Sequence, residues 1–159
     1  MGWEEWQKAM QMALPIVNKY RQMLANAKLL TDETACKAAK KAANAVKRTL
    51  PGACFQAADF EVSVGEDPKK KYNFGKAGRW RDMRYAYLNG LVVIDVDHCG
   101  NPREVFVRIQ QEHDLKALGI LLVYVSPSED GLKIVFKANP EYPHNLICQQ
   151  WEMAERIGV

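Results

Sequence analysis

No run of about 20 apolar residues occurs in this chain, so no membrane-spanning helix is expected. The N-terminus, Met1-Gly2-Trp3-Glu4-Glu5-Trp6, lacks the basic and apolar regions of a signal peptide. Its position 6 is Trp where a myristoylation motif needs Ser or Thr. Cysteine is sparse: Cys36, Cys54, Cys99 and Cys148 form no CxxC pair, which argues against a zinc site or a disulfide framework and fits reduced packing thiols in a cytoplasmic protein. The three histidines, His98, His113 and His144, share no metal-binding spacing. With no Walker loop, GxSxG or HExxH, the NTPase, serine hydrolase and zinc peptidase readings have no support. Internal repeats and low-complexity tracts are missing too.

What is present is a chain of 159 residues, 48% apolar, enough for one buried core and one folding unit. The net charge of +3 is modest but unevenly spread. Seven bases, Lys69, Lys70, Lys71, Lys76, Arg79, Arg81 and Arg84, face a single acid, Asp82, in a stretch that also carries Tyr72, Phe74, Trp80 and two glycines. Such a loop is either a solvated surface or one that touches phosphates and stacks on bases.

Hydrophobic periodicity predicts a helix over 3–28, with Trp3, Trp6, Met10, Ala13, Leu14, Val17, Tyr20 and Leu24 on one face and a kink or a break at Pro15. A second helix starts at Thr31 or Asp32 and runs to about Thr49, where Leu50-Pro51-Gly52 stops it. Residues 53–64 suggest one or two short strands. Then follow a strand 88–97, a helix of about 103–117, strands 120–125 and 132–138 joined by a turn, and a helix from about 144. That order is β-α-β-β-α. The crossover helix predicts strands 88–97 and 120–125 parallel and adjacent, with 132–138 antiparallel to its predecessor. The expected fold is α+β, a ferredoxin-like, RRM-like palm sheet over 51–159, with residues 1–50 as a helical extension packed on it.

The most telling motif is Leu91-Val92-Val93-Ile94-Asp95-Val96-Asp97, an apolar run read as a strand buried on both faces. Residues two apart in a strand point the same way, so Asp95 and Asp97 project together. Two carboxylates on one spot require a cation, a neighbouring Lys or Arg, or a raised pKa on one of them. Mg²⁺ or Mn²⁺ carrying a nucleotide's phosphates is an economical answer, and solvated acids at a strand end are the plain one. Lys133 could neighbour these acids and supply positive charge to phosphates. Ser126, Ser128 and backbone N–H groups of the turn up to Gly131 could hold phosphate oxygens, or serve only the turn's own hydrogen bonds.

Read in order, Lys47-Arg48-Thr49-Leu50-Pro51, then Asn89-Gly90-Leu91-Val92-Val93-Ile94-Asp95-Val96-Asp97-His98, then Val125-Ser126-Pro127-Ser128-Glu129-Asp130-Gly131-Leu132-Lys133, resemble the primase-polymerase-type domain at the N-terminus of VirE-like and BT4734-like proteins. That resemblance covers about 17–159 and implies the archaeo-eukaryotic primase superfamily, whose members often precede a helicase-type domain in mobile elements and phages. It implies that Asp95 and Asp97 hold the catalytic metals, and that Ser126, Ser128, Gly131 and Lys133 bind the nucleotide. Glu129 stands where such relatives usually have Gly. A third metal-binding carboxylate is expected after the last helix, so the chain is either a piece of a longer protein, the preferred reading, or a shortened homologue.

The resulting expectation is a DNA primase or polymerase domain acting on nucleoside triphosphates with Mg²⁺ or Mn²⁺. Lys69, Lys70, Lys71, Arg79, Arg81 and Arg84 would hold a single-stranded DNA or RNA template, and no membrane would be involved. The competing expectations are a non-catalytic single-strand-binding module of the same fold and a regulatory domain that binds small nucleotides.

Overall fold

The computed structural model describes residues 3–50, 55–69, 71–80, 82–142 and 145–159. Their contacts group the chain into two compact units, Met1–Ala53 with Val125–Asp130, and Cys54–Tyr124 with Gly131–Val159. The helix stop expected at Pro51-Gly52, the start of the strand region at 53–54 with Cys54, and His144 lie outside the described residues, as does the Trp3 side chain.

The first unit is built on α1 (Trp3–Lys28) and α2 (Glu33–Lys47). α1 is one helix with Pro15 inside it rather than two helices. Its buried residues Ala13, Tyr20 and Ala27 recur every seven positions, with half-buried Ile16, Val17, Met23 and Leu24 between them. That spacing returns side chains to one helical stripe, so the seam is set by sequence period. Met10 and Leu14, expected on this face, are exposed. α2 begins where its cap dictates: Asp32 accepts a hydrogen bond from Ala35 N–H at 2.6 Å. Small Ala43 is buried in α2, and the Lys47 ammonium lies 5.6 Å from the Tyr20 ring centre, tying the two helices together.

The second unit is a mixed α+β arrangement. Short strands β1 (Ala57–Phe60) and β4 (Ala86–Leu88) pair antiparallel, as do β2 (Ser63–Val64) and β3 (Ala77–Gly78). A 3₁₀ turn at Met83–Tyr85 leads into β4. The longer sheet contains β5 (Leu91–Val96), β6 (Ile120–Val125) and β7 (Leu132–Lys137) in the order β5-β7-β6. α3 (Pro102–Glu112) joins β5 to β6, and α4 (Leu146–Arg156) follows β7. Asn101 caps α3 by accepting from Arg103 N–H at 3.1 Å.

Two expectations are corrected here. The strand expected over 88–97 is two strands in different sheets, parted at Asn89-Gly90, where Gly90 has φ +76° and the Asn89 side chain accepts from Leu91 N–H at 3.1 Å. The strands expected to be adjacent, β5 and β6, are separated by β7. β7 is therefore the strand enclosed on both faces: Leu132, Ile134, Val135 and Phe136 are all buried. β5 buries Val92 and Ile94 and leaves Leu91, Val93 and Asp95 more open, as suits an edge. Gln150 of α4 donates to Val93 C=O at 2.5 Å, occupying a carbonyl of that edge.

Buried Gln149 fastens the chain before α4. Its Oε1 accepts from Asn139 N–H at 2.6 Å, and its Nε2 donates to Tyr142 C=O at 2.7 Å. Gln149→Ala is expected to leave both backbone groups without this partner and to lower unfolding stability by about 1–3 kcal/mol, read by denaturant titration.

Candidate functional site

The β5–β7 register decides what can meet. Pairing runs from Leu91 opposite Lys137 to Val96 opposite Leu132, which sets Asp95 directly across from Lys133. Their side chains form an ion pair through Lys133 Nζ and Asp95 Oδ2, with Asp95 49% and Lys133 26% exposed. Of the possible remedies for a crowded carboxylate pair, a neighbouring lysine is thus present on the next strand.

Asp97 lies one residue past the end of β5 and is exposed. The chain turns immediately afterwards, since His98 has φ +54°, so His98 is not a continuation of the strand. Gly131 comes against this end of β5. A Cβ there would stand 2.4 Å from Val96 O and 3.4 Å from Asp97 Cα, so only glycine fits that approach. Asp95, Asp97, Gly131 and Lys133 are thereby gathered at one end of the β5–β7 pair.

Ser126 and Ser128 belong to the other compact unit. Their hydroxyls are 3.0 Å apart, and Ser128 donates to Asp130 Oδ1 at 2.5 Å. Glu129 stands at φ +63°, a backbone shape that costs an L-residue about 1 kcal/mol and suits the glycine expected at this position. Arg21 holds the turn by donating from Nε to Pro127 C=O at 3.1 Å and pairing with the Glu129 carboxylate at 3.0 Å.

One group escaped the sequence reading. Tyr124 of β6 has its phenol pushed up to about 12 by burial and, secondarily, by the negative charge of Asp95. A β-strand tyrosine in an apolar run carries no sequence signal for this, because its neighbour arrives through strand order. Phe55 lies against it with ring centres 6.1 Å apart.

The basic stretch is less positive than its composition suggests. Arg79 pairs with Asp59 and also donates to Phe60 C=O at 3.1 Å. Arg84 pairs with Asp82 at 2.7 Å and with Glu66 at 3.4 Å. Lys69 and Lys71 are exposed and make no ion pair among the described residues, while Lys70 and Arg81 lie outside them. Cys36 and Cys99 are half-buried free thiols, and Cys148 is exposed rather than packed.

Hard oxygen donors at Asp95 and Asp97 suit a small divalent cation, which commonly takes one or two carboxylates together with waters and phosphates. No group of three or more His, Cys, Asp or Glu side chains able to hold a metal occurs among the described residues. No helix of the described residues is long and apolar enough to cross a membrane.

Two measurements check this geometry. Gly131→Ala is expected to cost about 1–3 kcal/mol of stability, because a methyl must displace backbone rather than a flexible side chain. In an alkaline titration followed by tyrosinate absorbance, one phenol should titrate near pH 12, vanish in Tyr124→Phe, and move down in Asp95→Asn. The folded phenol keeps its proton to higher pH than the unfolded one, so its stabilising contribution is intact below pH 10 and lost as pH rises through about 12.

No curated protein and no solved structure matches the chain. The BT4734-like, N-terminal domain family matches residues 72–157, more than half of the chain, including Asp95, Asp97 and the turn that leads to Lys133. The match begins well after residue 17, where the ordered motifs suggested that the likeness starts. By that match, the chain belongs to the BT4734-like N-terminal domain family.

Proposed function

We propose that this chain is the catalytic part of a primase-polymerase-type nucleotidyl transferase, acting on nucleoside triphosphates along a single-stranded DNA or RNA template. The observation that carries this reading is the direct cross-strand pairing of Asp95 with Lys133 beside Asp97 and Gly131. The strand order supports this reading: β7 between β5 and β6, with α3 as the crossover and α4 after β7, resembles the split β-α-β of a ferredoxin-like palm.

Asp95 and Asp97 would hold Mg²⁺ or Mn²⁺. When bound, such an ion supplies the Lewis-acid charge for activating a primer hydroxyl and neutralising a triphosphate. Lys133 exchanges the Asp95 carboxylate for phosphate oxygens, a low-cost exchange because the ion pair is partly exposed. Gly131 keeps the backbone close at this end of the pair. Lys69 and Lys71 take template phosphates. A helicase-type domain or protein is the partner this activity would require for opening duplex.

Metal-dependent incorporation of nucleotides on a primed single strand is the test. Asp95→Ala/Asp97→Ala is expected to reduce incorporation to background, and Lys133→Gln to raise KM for the triphosphate more than it lowers kcat. Full activity in the double variant would overturn the assignment. A second reading, a non-catalytic nucleic-acid-binding module, is favoured by one observation: Asp95 already has its counter-charge in Lys133. It predicts salt-sensitive single-strand binding with no metal-dependent chemistry.

A further inference from the structure

A cleft of about 650 Å³ is lined by β2 and the residues after it, by Tyr72 and Asn73, and by residues between Arg79 and Arg84, away from the carboxylate cluster in sequence and drawing on none of its residues. Its size falls within the ~300–1,000 Å³ usual for small-molecule sites. We propose that this cleft receives one nucleobase, stacked on Trp80 and hydrogen-bonded by the Asn73 amide. The inference deepens the nucleic-acid reading above by naming where an unstacked base would go.

Three observations carry it. Asn73 lines the cleft, is only 7% exposed, and its Oδ1 has no hydrogen-bond partner among the described residues. A buried amide oxygen without a donor is costly, and such groups are rare in folded proteins. The backbone around it is fixed tightly. A Cβ at Gly65 would lie 2.0 Å from Asn73 O, and Lys76 N–H donates to that same carbonyl at 3.0 Å. The torsion that orients the amide is soft, so a small rotation offers both its oxygen and its NH₂ to an occupant. An edge carrying one donor and one acceptor side by side satisfies both at once, which is how an asparagine engages a base.

The second observation is the platform. Trp80 Nε1 donates to Lys76 C=O at 3.0 Å, which sets the orientation of the indole. Gly78 lies so close beneath that a Cβ would stand 3.0 Å from two ring carbons. An indole anchored at its N–H and seated on glycine is a fixed planar surface on the cleft wall, and exposed Tyr72 adds a second ring. Aromatic surfaces of this kind stack any base.

Charge selects what enters. The wall carries Glu66, Asp67 and Asp82 against Arg79 and Arg84, and both guanidinium groups are paired with carboxylates. A phosphate entering this space meets more acid than uncompensated base, so the occupant is a neutral ring with polar edges. Phosphates belong outside, where Lys69 and Lys71 are exposed.

Binding in EDTA, followed by anisotropy of labelled oligonucleotides, separates this from catalysis. A single strand should bind more tightly than an abasic strand of equal length, and Asn73→Ala should cost roughly tenfold for the base-bearing strand while leaving the abasic one unchanged. The same variant should melt no earlier than the wild type, since it deletes an unsatisfied oxygen. Tyr72→Ser, at a position too exposed to disturb folding, should narrow the same gap between strands. Binding of a free nucleoside monophosphate with the same Asn73 dependence, without preference for a base-bearing strand, supports the cleft with a free nucleotide as its source. Equal affinity of the wild type for both strands together with no monophosphate binding, or variants that retain the wild-type ratio, would overturn the proposal. Neither outcome touches nucleotidyl transfer, which has its own assay.

Discussion

The pairing of β5 with β7 is the constraint from which the candidate site follows. Side chains alternate along a strand, so a shift of one residue in this register would turn Asp95 away from Lys133 and would drive Val92 and Ile94 out of the core. The two consequences differ greatly in size. Burying an aliphatic side chain stabilises by about 1.5–3 kcal/mol, whereas a partly exposed ion pair contributes about 0–1 kcal/mol. Apolar burial by Val92, Ile94, Ile134 and Phe136 therefore holds the register, and the Asp95–Lys133 contact is carried by it. A charge pair that the fold does not need for stability is available for another use.

The same comparison of strong and weak terms separates the two aspartates from the basic stretch. Arg79 and Arg84 each have carboxylate partners close by in the fold, Asp59 for one and Asp82 with Glu66 for the other. Counting bases along the chain overstates the positive field, because the compensating acids at positions 59 and 66 lie outside the counted window. Both arginines line the walls of the cleft, and exposed Lys69 and Lys71 make no ion pair among the described residues.

Much of the architecture was legible where one local rule acts alone. Asp32, one of the two cap candidates, caps the helix it precedes, and Ile120–Val125 is a strand with the bounds its apolar run suggests. Strand order was not legible, because hydrophobic period identifies a strand without naming its neighbours. The run read as doubly buried, β5, lies at the sheet edge, while β7, which contains two lysines, lies in the middle. Asn89-Gly90 carried a turn signal inside an otherwise continuous strand pattern, and the turn prevailed. Asp95, Asp97, Gly131 and Lys133 were readable as candidates, and their meeting follows from the β5–β7 register. Tyr124 and Asn73 were not readable at all, since each draws its character from residues distant in sequence or from the loss of a partner.

Glu129 shows how the turn between β6 and β7 is held. A left-handed residue at this point explains why glycine would suit it, and the glutamate tolerates the shape with Arg21 holding its carboxylate. Arg21 also grips the Pro127 carbonyl, so one side chain spans the turn from both ends. The negative charge that Glu129 introduces next to Ser128 is thus neutralised within its own unit. The strained backbone at Glu129 is held by one arginine, through an ion pair on one side and a carbonyl hydrogen bond on the other.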